Sequence, residues 1–169
     1  MINNLIRQPV KMITVLALLF TVTVKGQHFV VDSLFVFPEY SEGKMFEIMN
    51  DTLVIAGGFE KVGPDSILVN HIARWDGHQF YAMGDGNTNW ENVFCSITYN
   101  GFEYYGGGFH SMGYVPQTYS IAGWNGNQFF SIGNCTSSQT FYDMTVWHDT
   151  LFIVGDQGSI NGYQYWGIA

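Results

Sequence analysis

The feature that most constrains the fold is an internal repeat with a period near fifty residues. Ile72-Ala73-Arg74-Trp75-Asp76-Gly77 returns as Ile121-Ala122-Gly123-Trp124-Asn125-Gly126, a shift of 124 − 75 = 49. Gly57-Gly58-Phe59 returns as Gly107-Gly108-Phe109, a shift of 107 − 57 = 50. Phe80 and Gly84 reappear as Phe129 and Gly133, and Asp51-Thr52-Leu53 as Asp149-Thr150-Leu151. Self-similarity at this spacing marks a chain built from stacked supersecondary units, none of which can bury its apolar surface alone. A third copy opens with Leu151-Phe152-Ile153-Val154-Gly155 and runs to Ile168-Ala169. The Trp and its Asp-Gly or Asn-Gly would come next, so the third copy is expected to be incomplete.

Each copy reads as short strands rather than helices. In the second, Val93–Tyr99 and 102–106 flank Asn100-Gly101, residues that supply the left-handed torsions of a tight hairpin. A polar loop leads to strands at 119–124 and 128–132, on either side of Asn125-Gly126. The first copy has Asn50-Asp51 and Asp76-Gly77 as its turns. Leu53-Val54-Ile55-Ala56 and Leu151-Phe152-Ile153-Val154 are apolar on both faces, whereas a strand with one wet face alternates. Sheets stacked face to face around an axis cover both sides of such strands. The expectation is therefore all-β: about two and a half four-stranded antiparallel blades of a β-propeller. The paired glycines end the second strand, where a missing side chain admits another group. Trp75 or Trp124 is the expected occupant.

The first 26 residues are excluded from this fold. Arg7 and Lys11 precede an uncharged, mostly apolar run of 24 − 12 + 1 = 13 residues, closed by Lys25-Gly26-Gln27. That is the plan of a secretory signal peptide cut after Gly26, and the run is short for a bilayer span. The expected organisation is signal peptide 1–26, an N-terminal strand segment 27–45, and repeats at 46–93, 94–143 and 144–169, the last incomplete. Removing 1–26 removes three of six basic side chains and no acid, taking the formal charge from −8 to −8 − 3 = −11. A surface of that sign repels nucleic acid and anionic lipid. We therefore expect a secreted or cell-surface protein without nucleic-acid partners and without a membrane span in the mature chain.

The repeat resembles known proteins. A diglycine after an apolar strand, an aromatic before a turn, and a second aromatic before an aliphatic-Gly pair is the kelch-type plan. Here it is filled by Gly57, Gly58, Trp75, Phe80 and Met83-Gly84, then by Gly107, Gly108, Trp124, Phe129 and Ile132-Gly133, with Gly77 and Gly126 in the turns. The wording G-G-F, then I-A-x-W-[DN]-G, is similar to secreted bacterial propellers and to the propeller of fungal cortical polarity markers. The resemblance covers about residues 46–169. It implies a kelch or galactose-oxidase central-domain type of propeller and, in the bacterial proteins, a surface-sorting domain. Asp156 departs from the plan by replacing a second glycine, so the third repeat is expected to be irregular. A WD40 reading of Trp75-Asp76 fails because that period is shorter and its Gly-His partner is missing.

Chemistry-bearing motifs are sparse. Asp85, Asn87, Asn89 and Glu91 alternate as calcium-loop oxygens do, but Trp90 stands where the loop needs glycine. An Asn/Asp-rich loop between repeats is the simpler reading, and the sialidase Asp-box lacks its spacer at Asp85-Gly86. His71, His78, His110 and His148 show no metal-ligand spacing and read as turn or surface residues. No cofactor is implied. Cys95 and Cys135 would close a loop of 135 − 95 = 40 residues, a disulfide contributing up to about 4 kcal/mol. Two buried free thiols are the other reading, and the one favoured here. Ser33, Thr52, Ser66 and Thr150 each follow Asp and precede an aliphatic residue, a pattern resembling a bacterial O-glycosylation acceptor; turn chemistry is the simpler account. Tyr104, Tyr105, Tyr114, Tyr119 and Tyr142 would line a sugar or peptide surface, or pack between blades. The expected function is a non-catalytic extracellular scaffold or binding module for a protein, glycan or surface, with the remaining blades of the same chain as partners. The alternative is a secreted propeller enzyme whose catalytic residues lie in other blades or a following domain.

Overall fold

The computed structural model describes residues 42–87, 92–135, 139–165 and 167–168. The expected signal peptide lies outside the described residues, as does the N-terminal segment up to residue 41. The described residues form an all-β fold of small antiparallel sheets, without a helix among them.

The first sheet begins with β1 (Gly43–Met49) and β2 (Thr52–Gly57), joined at Asn50-Asp51 with φ of 49° and 59°. Asparagine and aspartate tolerate this left-handed pair, which matches the twist of the strands it joins. A minor hairpin of β3 (Lys61–Val62) and β4 (Ile67–Leu68) follows, then β5 (Ile72–Trp75) and β6 (Phe80–Ala82). The sheet order is β1-β2-β5-β6. The second sheet repeats it with β7 (Val93–Tyr99), β8 (Phe102–Gly107), β9 (Ile121–Trp124) and β10 (Phe129–Ser131). Next come β11 (Phe141–Trp147) paired with β12 (Thr150–Gly155), and β13 (Gly158–Ile160) paired with β14 (Tyr163–Tyr165). Ile168 then bridges Val154. The amide of Gly155 donates to Gly167, as Gly57 does to His71 and Gly107 to Ser120. The third copy thus repeats the backbone pattern of the first two as far as it is described.

The four residues between β5 and β6, and between β9 and β10, form a longer turn than the expected Asp-Gly or Asn-Gly pair. Asp76 Oδ1 accepts from the amides of His78 and Gln79 at 2.8 and 2.9 Å. Asn125 Oδ1 accepts from Asn127 and Gln128, both at 3.0 Å. Gly77 and Gly126 follow with φ of 97° and 95°. The side-chain oxygen imitates a backbone carbonyl and closes the turn, which explains Asp or Asn before glycine in both copies.

The diglycines are explained by backbone, and the expected tryptophan occupant is corrected. The first strand of each sheet carries a register shift, at Gly43/Met45, Val93/Cys95 and Phe141/Asp143. Such a bulge displaces the chain before it toward the neighbouring strand. A Cβ on Gly57 would lie 1.9 Å from the Glu42 carbonyl oxygen, one on Gly107 2.1 Å from that of Asn92, and one on Gly155 2.2 Å from that of Thr140. Those carbonyls accept from the next amides, Gly58, Gly108 and Asp156, at 2.7, 3.0 and 2.9 Å. Asp156 therefore keeps the backbone geometry of the second glycine, and the expected irregularity does not arise there. Trp75 pairs with Leu53 and Trp124 with Glu103, at the opposite end of the central strand.

Three apolar layers run through the stack. Met45, Val54, Ala56 and Ile72 from the first sheet meet Tyr105, Ala122, Trp124 and Phe129 from the second. Cys95 and Ile121, from the far face of the second sheet, meet Phe141, Met144 and Ile153. Ile55, Ala73 and Phe80 turn to the first sheet's other face, packing with Val62 and Val69 around the minor hairpin. Both faces of β2 are buried, as its apolar run requires.

Trp124 is buried, centred 4.7 Å from the Phe129 ring, whereas Trp75 is only half-buried, 4.6 Å from Phe80. Trp124→Phe should cost on the order of 1–2 kcal/mol by leaving a partial cavity, and Trp75→Phe clearly less. Urea unfolding of the two variants checks the order.

Candidate functional site between the first two sheets

A charged pair occupies the otherwise apolar junction of the first two sheets. Arg74 sits on β5 opposite Val54, and Glu103 on β8 opposite Trp124. The Arg74 guanidinium donates through Nη2 to Glu103 Oε2, and through Nη1 to Thr52 Oγ1 at 3.1 Å. Asn50 Nδ2 donates to Glu103 Oε1 at 2.7 Å, and the Tyr105 hydroxyl donates to Oε2 at 2.6 Å. Only 5 % of the Glu103 side chain and 18 % of the Arg74 side chain is accessible, so this pair is not a surface ion pair. Three donors from both sheets occupy the carboxylate, which satisfies the condition under which a buried charge is tolerated. Burial, reinforced by the Glu103 charge, raises the Tyr105 phenol well above its ordinary range, so it stays a donor.

Beside the pair is a cleft of about 340 Å³, lined among others by Asn50, Arg74, Tyr81, Glu103, Trp124 and Asn125. Its side chains come from the β1–β2 turn, from β5 and β6, from β8 and β9, and from the turn after β9. Tyr81 is anchored by its hydroxyl, which donates to Asp76 Oδ2 at 2.7 Å. Asp76 is held down at about 2 by the Gln79 amide, by Tyr81 and by the His78 amide. The cleft offers amides, a paired charge and aromatic surface. The Glu103 carboxylate in its wall already accepts from Arg74, Asn50 and Tyr105.

Sequence motifs did not point to Arg74 and Glu103. The available signal was a misfit: Arg74 stands where the second copy has Gly123, and Glu103 where the others have Leu53 and Leu151.

The residues singled out by motif lie elsewhere. Asp85 is exposed and its carbonyl accepts from Asn70 Nδ2 at 3.0 Å. Asn87 is buried, bridges Met112 and donates its amide to Asn70 at 2.7 Å. Asn89 and Glu91 lie outside the described residues. Among the described residues no three His, Cys, Asp or Glu side chains are grouped so as to hold a metal ion.

His78, His110 and His148 are exposed, but His71 is buried, with Nδ1 3.2 Å from the Gly57 carbonyl. Burial lowers its pKa, with the Gly57 contact opposing. Tyr104 and Tyr105 point to opposite faces of β8, Tyr104 into the layer toward the third sheet and Tyr105 into the layer toward the first, and Tyr119 packs against His110. Tyr114 and Tyr142 are exposed, Tyr142 with its ring 6.3 Å from Phe94.

Thr52 is half-buried and its hydroxyl is engaged, donating to Met49 O at 2.8 Å and accepting from Arg74. Ser66 and Thr150 are exposed, and Ser33 lies outside the described residues.

Cys95 and Cys135 are both buried free thiols in the layer between the second and third sheets. Burial, with the Asp143 charge adding to it, pushes Cys95 up to about 12, and burial raises Cys135. Since the thiolate is the reactive form, neither should react with an alkylating reagent in the folded protein at mildly alkaline pH. Two thiols per chain should appear on denaturation without reductant. Mass spectrometry before and after denaturation measures both.

No protein-family model matches the chain, and no curated protein matches it.

Proposed function

We propose that this chain is the N-terminal part of a secreted kelch-like β-propeller, acting as a non-catalytic scaffold whose inter-sheet cleft binds a neutral glycan. Further repeats of the same kind complete the ring. The propeller reading is supported by three copies of one device: a bulged first strand, a glycine beneath its carbonyl, and an amide on that carbonyl. The binding reading rests on one observation, the cleft beside Arg74 and Glu103. Its volume suits one or two sugar units, its amides and guanidinium suit hydroxyl groups, and the exposed Tyr81 offers a face for a sugar ring. Export follows from the basic start and apolar run at 7–24, with repulsion of polyanions from the acidic mature chain.

A screen of neutral oligosaccharides followed by tryptophan fluorescence tests this. The expected result is saturable binding, weakened at least tenfold in Tyr81→Ala and Asn125→Ala, with the oligosaccharide recovered intact. Absence of binding, or recovery of cleaved product, would count against the reading. Amino-terminal sequencing of the exported protein should begin at Gln27.

A further inference from the structure

A second cleft, of about 450 Å³, opens in the same junction, lined among others by Gly84, Asp85, Val115, Gln128, Phe129 and Ser131. Ser131 pairs with Ala122 and so shares the face of the second sheet that meets the first. The two clefts adjoin. Trp124 lines one and Phe129 the other, with ring centres 4.7 Å apart. A Cβ on Gly84 would lie 3.5 Å from Trp124 and 3.8 Å from Phe129, so this glycine lies against both rings. Along the first sheet, Tyr81, Ala82, Gly84 and Asp85 are exposed, and the two central ones carry at most a methyl group. Across from them, Asn125 lines the first cleft and Gln128 the second, at the two ends of one exposed turn. The rim between the clefts is therefore low.

The equivalent place at the next junction is filled. Asn87 bridges Met112 as Cys135 bridges Ile160. The Gly113 amide donates to the Gly86 carbonyl at 2.7 Å, as the Asn161 amide does to that of Asn134 at 3.1 Å. Gly113 and Asn161 thus hold one structural position, with left-handed φ of 60° and 53°. Asn161 Oδ1 accepts from the Asn134 amide at 2.7 Å. Its side chain lies 2.6 Å from where a Cβ would stand on Gly133, the repeat counterpart of Gly84. Gly113 has no side chain with which to cover Gly84, and the second cleft lies beside both glycines. One backbone thus carries an open groove at the first junction and a capped one at the second, a difference that belongs to a site rather than to the framework.

We propose that the two clefts form one groove for a linear neutral oligosaccharide of about four sugar units, the second cleft being a separate subsite. This rests on the glycan reading of the first cleft. Asp85, Gln128 and Ser131 supply a carboxylate, an amide and a hydroxyl, which exchange hydrogen bonds with sugar hydroxyl groups and need no charge on the ligand. A chain already held in the first cleft enters the second without a further loss of translational freedom, so the added contacts appear as affinity.

Calorimetric titration of the full chain with matched di- and tetrasaccharides of glucose, xylose and N-acetylglucosamine tests it. A tetrasaccharide presents three overlapping disaccharides to a single cleft, so counting alone gives a gain of about threefold. The expected gain is on the order of tenfold or more. Gly113→Asn introduces the side chain that closes the next junction, at a φ that asparagine tolerates, and should bring the gain back to about threefold. Gln128→Ala should cut it as well, because the turn's bonds to Gln128 use only its backbone. A cooperative thermal transition shows that each variant folds. Tyr81→Ala should weaken both lengths. A disaccharide that binds, with a tetrasaccharide gaining no more than about threefold, would overturn the second subsite and leave the first cleft's reading standing. A larger gain that folded Gly113→Asn and Gln128→Ala both keep would do the same. No binding at either length would overturn both readings.

Discussion

Gly107→Ala is expected to cost more than about 4 kcal/mol, enough to unfold a domain of ordinary stability. The added methyl would lie 2.1 Å from the Asn92 carbonyl oxygen, with Val93 Cα at 2.9 Å. Both are backbone atoms, so no rotamer change relieves the contact. Moving the carbonyl away would break the bond it accepts from Gly108 and disturb the bulge that starts β7. Gly57→Ala should behave alike, with its methyl 1.9 Å from the Glu42 carbonyl oxygen. The adjacent glycine is the control. A methyl on Gly58 meets nothing nearer than 3.8 Å, so Gly58→Ala should change stability by less than about 1 kcal/mol. Urea denaturation followed by circular dichroism reads both. Equal effects at 57 and 58 would contradict the assigned roles.

Glu103→Leu should cost about 3–5 kcal/mol, although leucine is the residue both other copies carry at this position. The change leaves the Arg74 guanidinium largely buried without its countercharge. It also removes the acceptor of Asn50 and Tyr105. Much of that loss is the cost of the orphaned charge. Arg74→Met combined with Glu103→Leu should therefore recover most of it, and a double-mutant cycle measures the coupling. If the single and double variants unfold at the same urea concentration, the pair does not act as a unit.

The repeat was legible because its signals are local. Trp75 and Trp124 keep their spacing to a turn, and Asn50-Asp51 and Asn100-Gly101 announce left-handed torsions two residues at a time. The reason for the diglycine was not legible. Its neighbour is a backbone carbonyl, placed by a bulge whose first residues are Gly43, Val93 and Phe141, a set with no common side chain. Nor was the Arg74–Glu103 pair, since its members lie 29 residues apart on different sheets. Only their poor match to the repeat hinted at a partner. The burial of His71 was hidden for a related reason: its polar neighbourhood reads as an exposed turn, and only the tertiary structure brings it to the Gly57 carbonyl.

The central claim is that three successive units repeat one backbone arrangement. Native-state hydrogen exchange, resolved by residue with NMR, tests it most directly. Gly57, Gly107 and Gly155 each donate to the residue before the next strand position, and Gly58, Gly108 and Asp156 each donate to the carbonyl before the first strand. All six amides should exchange far more slowly than in an unfolded chain, with the third pair protected like the first two. Exchange of Gly155 and Asp156 at unfolded-chain rates, with the other four protected, would contradict the repeat in its third copy. Unprotected amides at Gly57, Gly58, Gly107 and Gly108 would contradict it altogether.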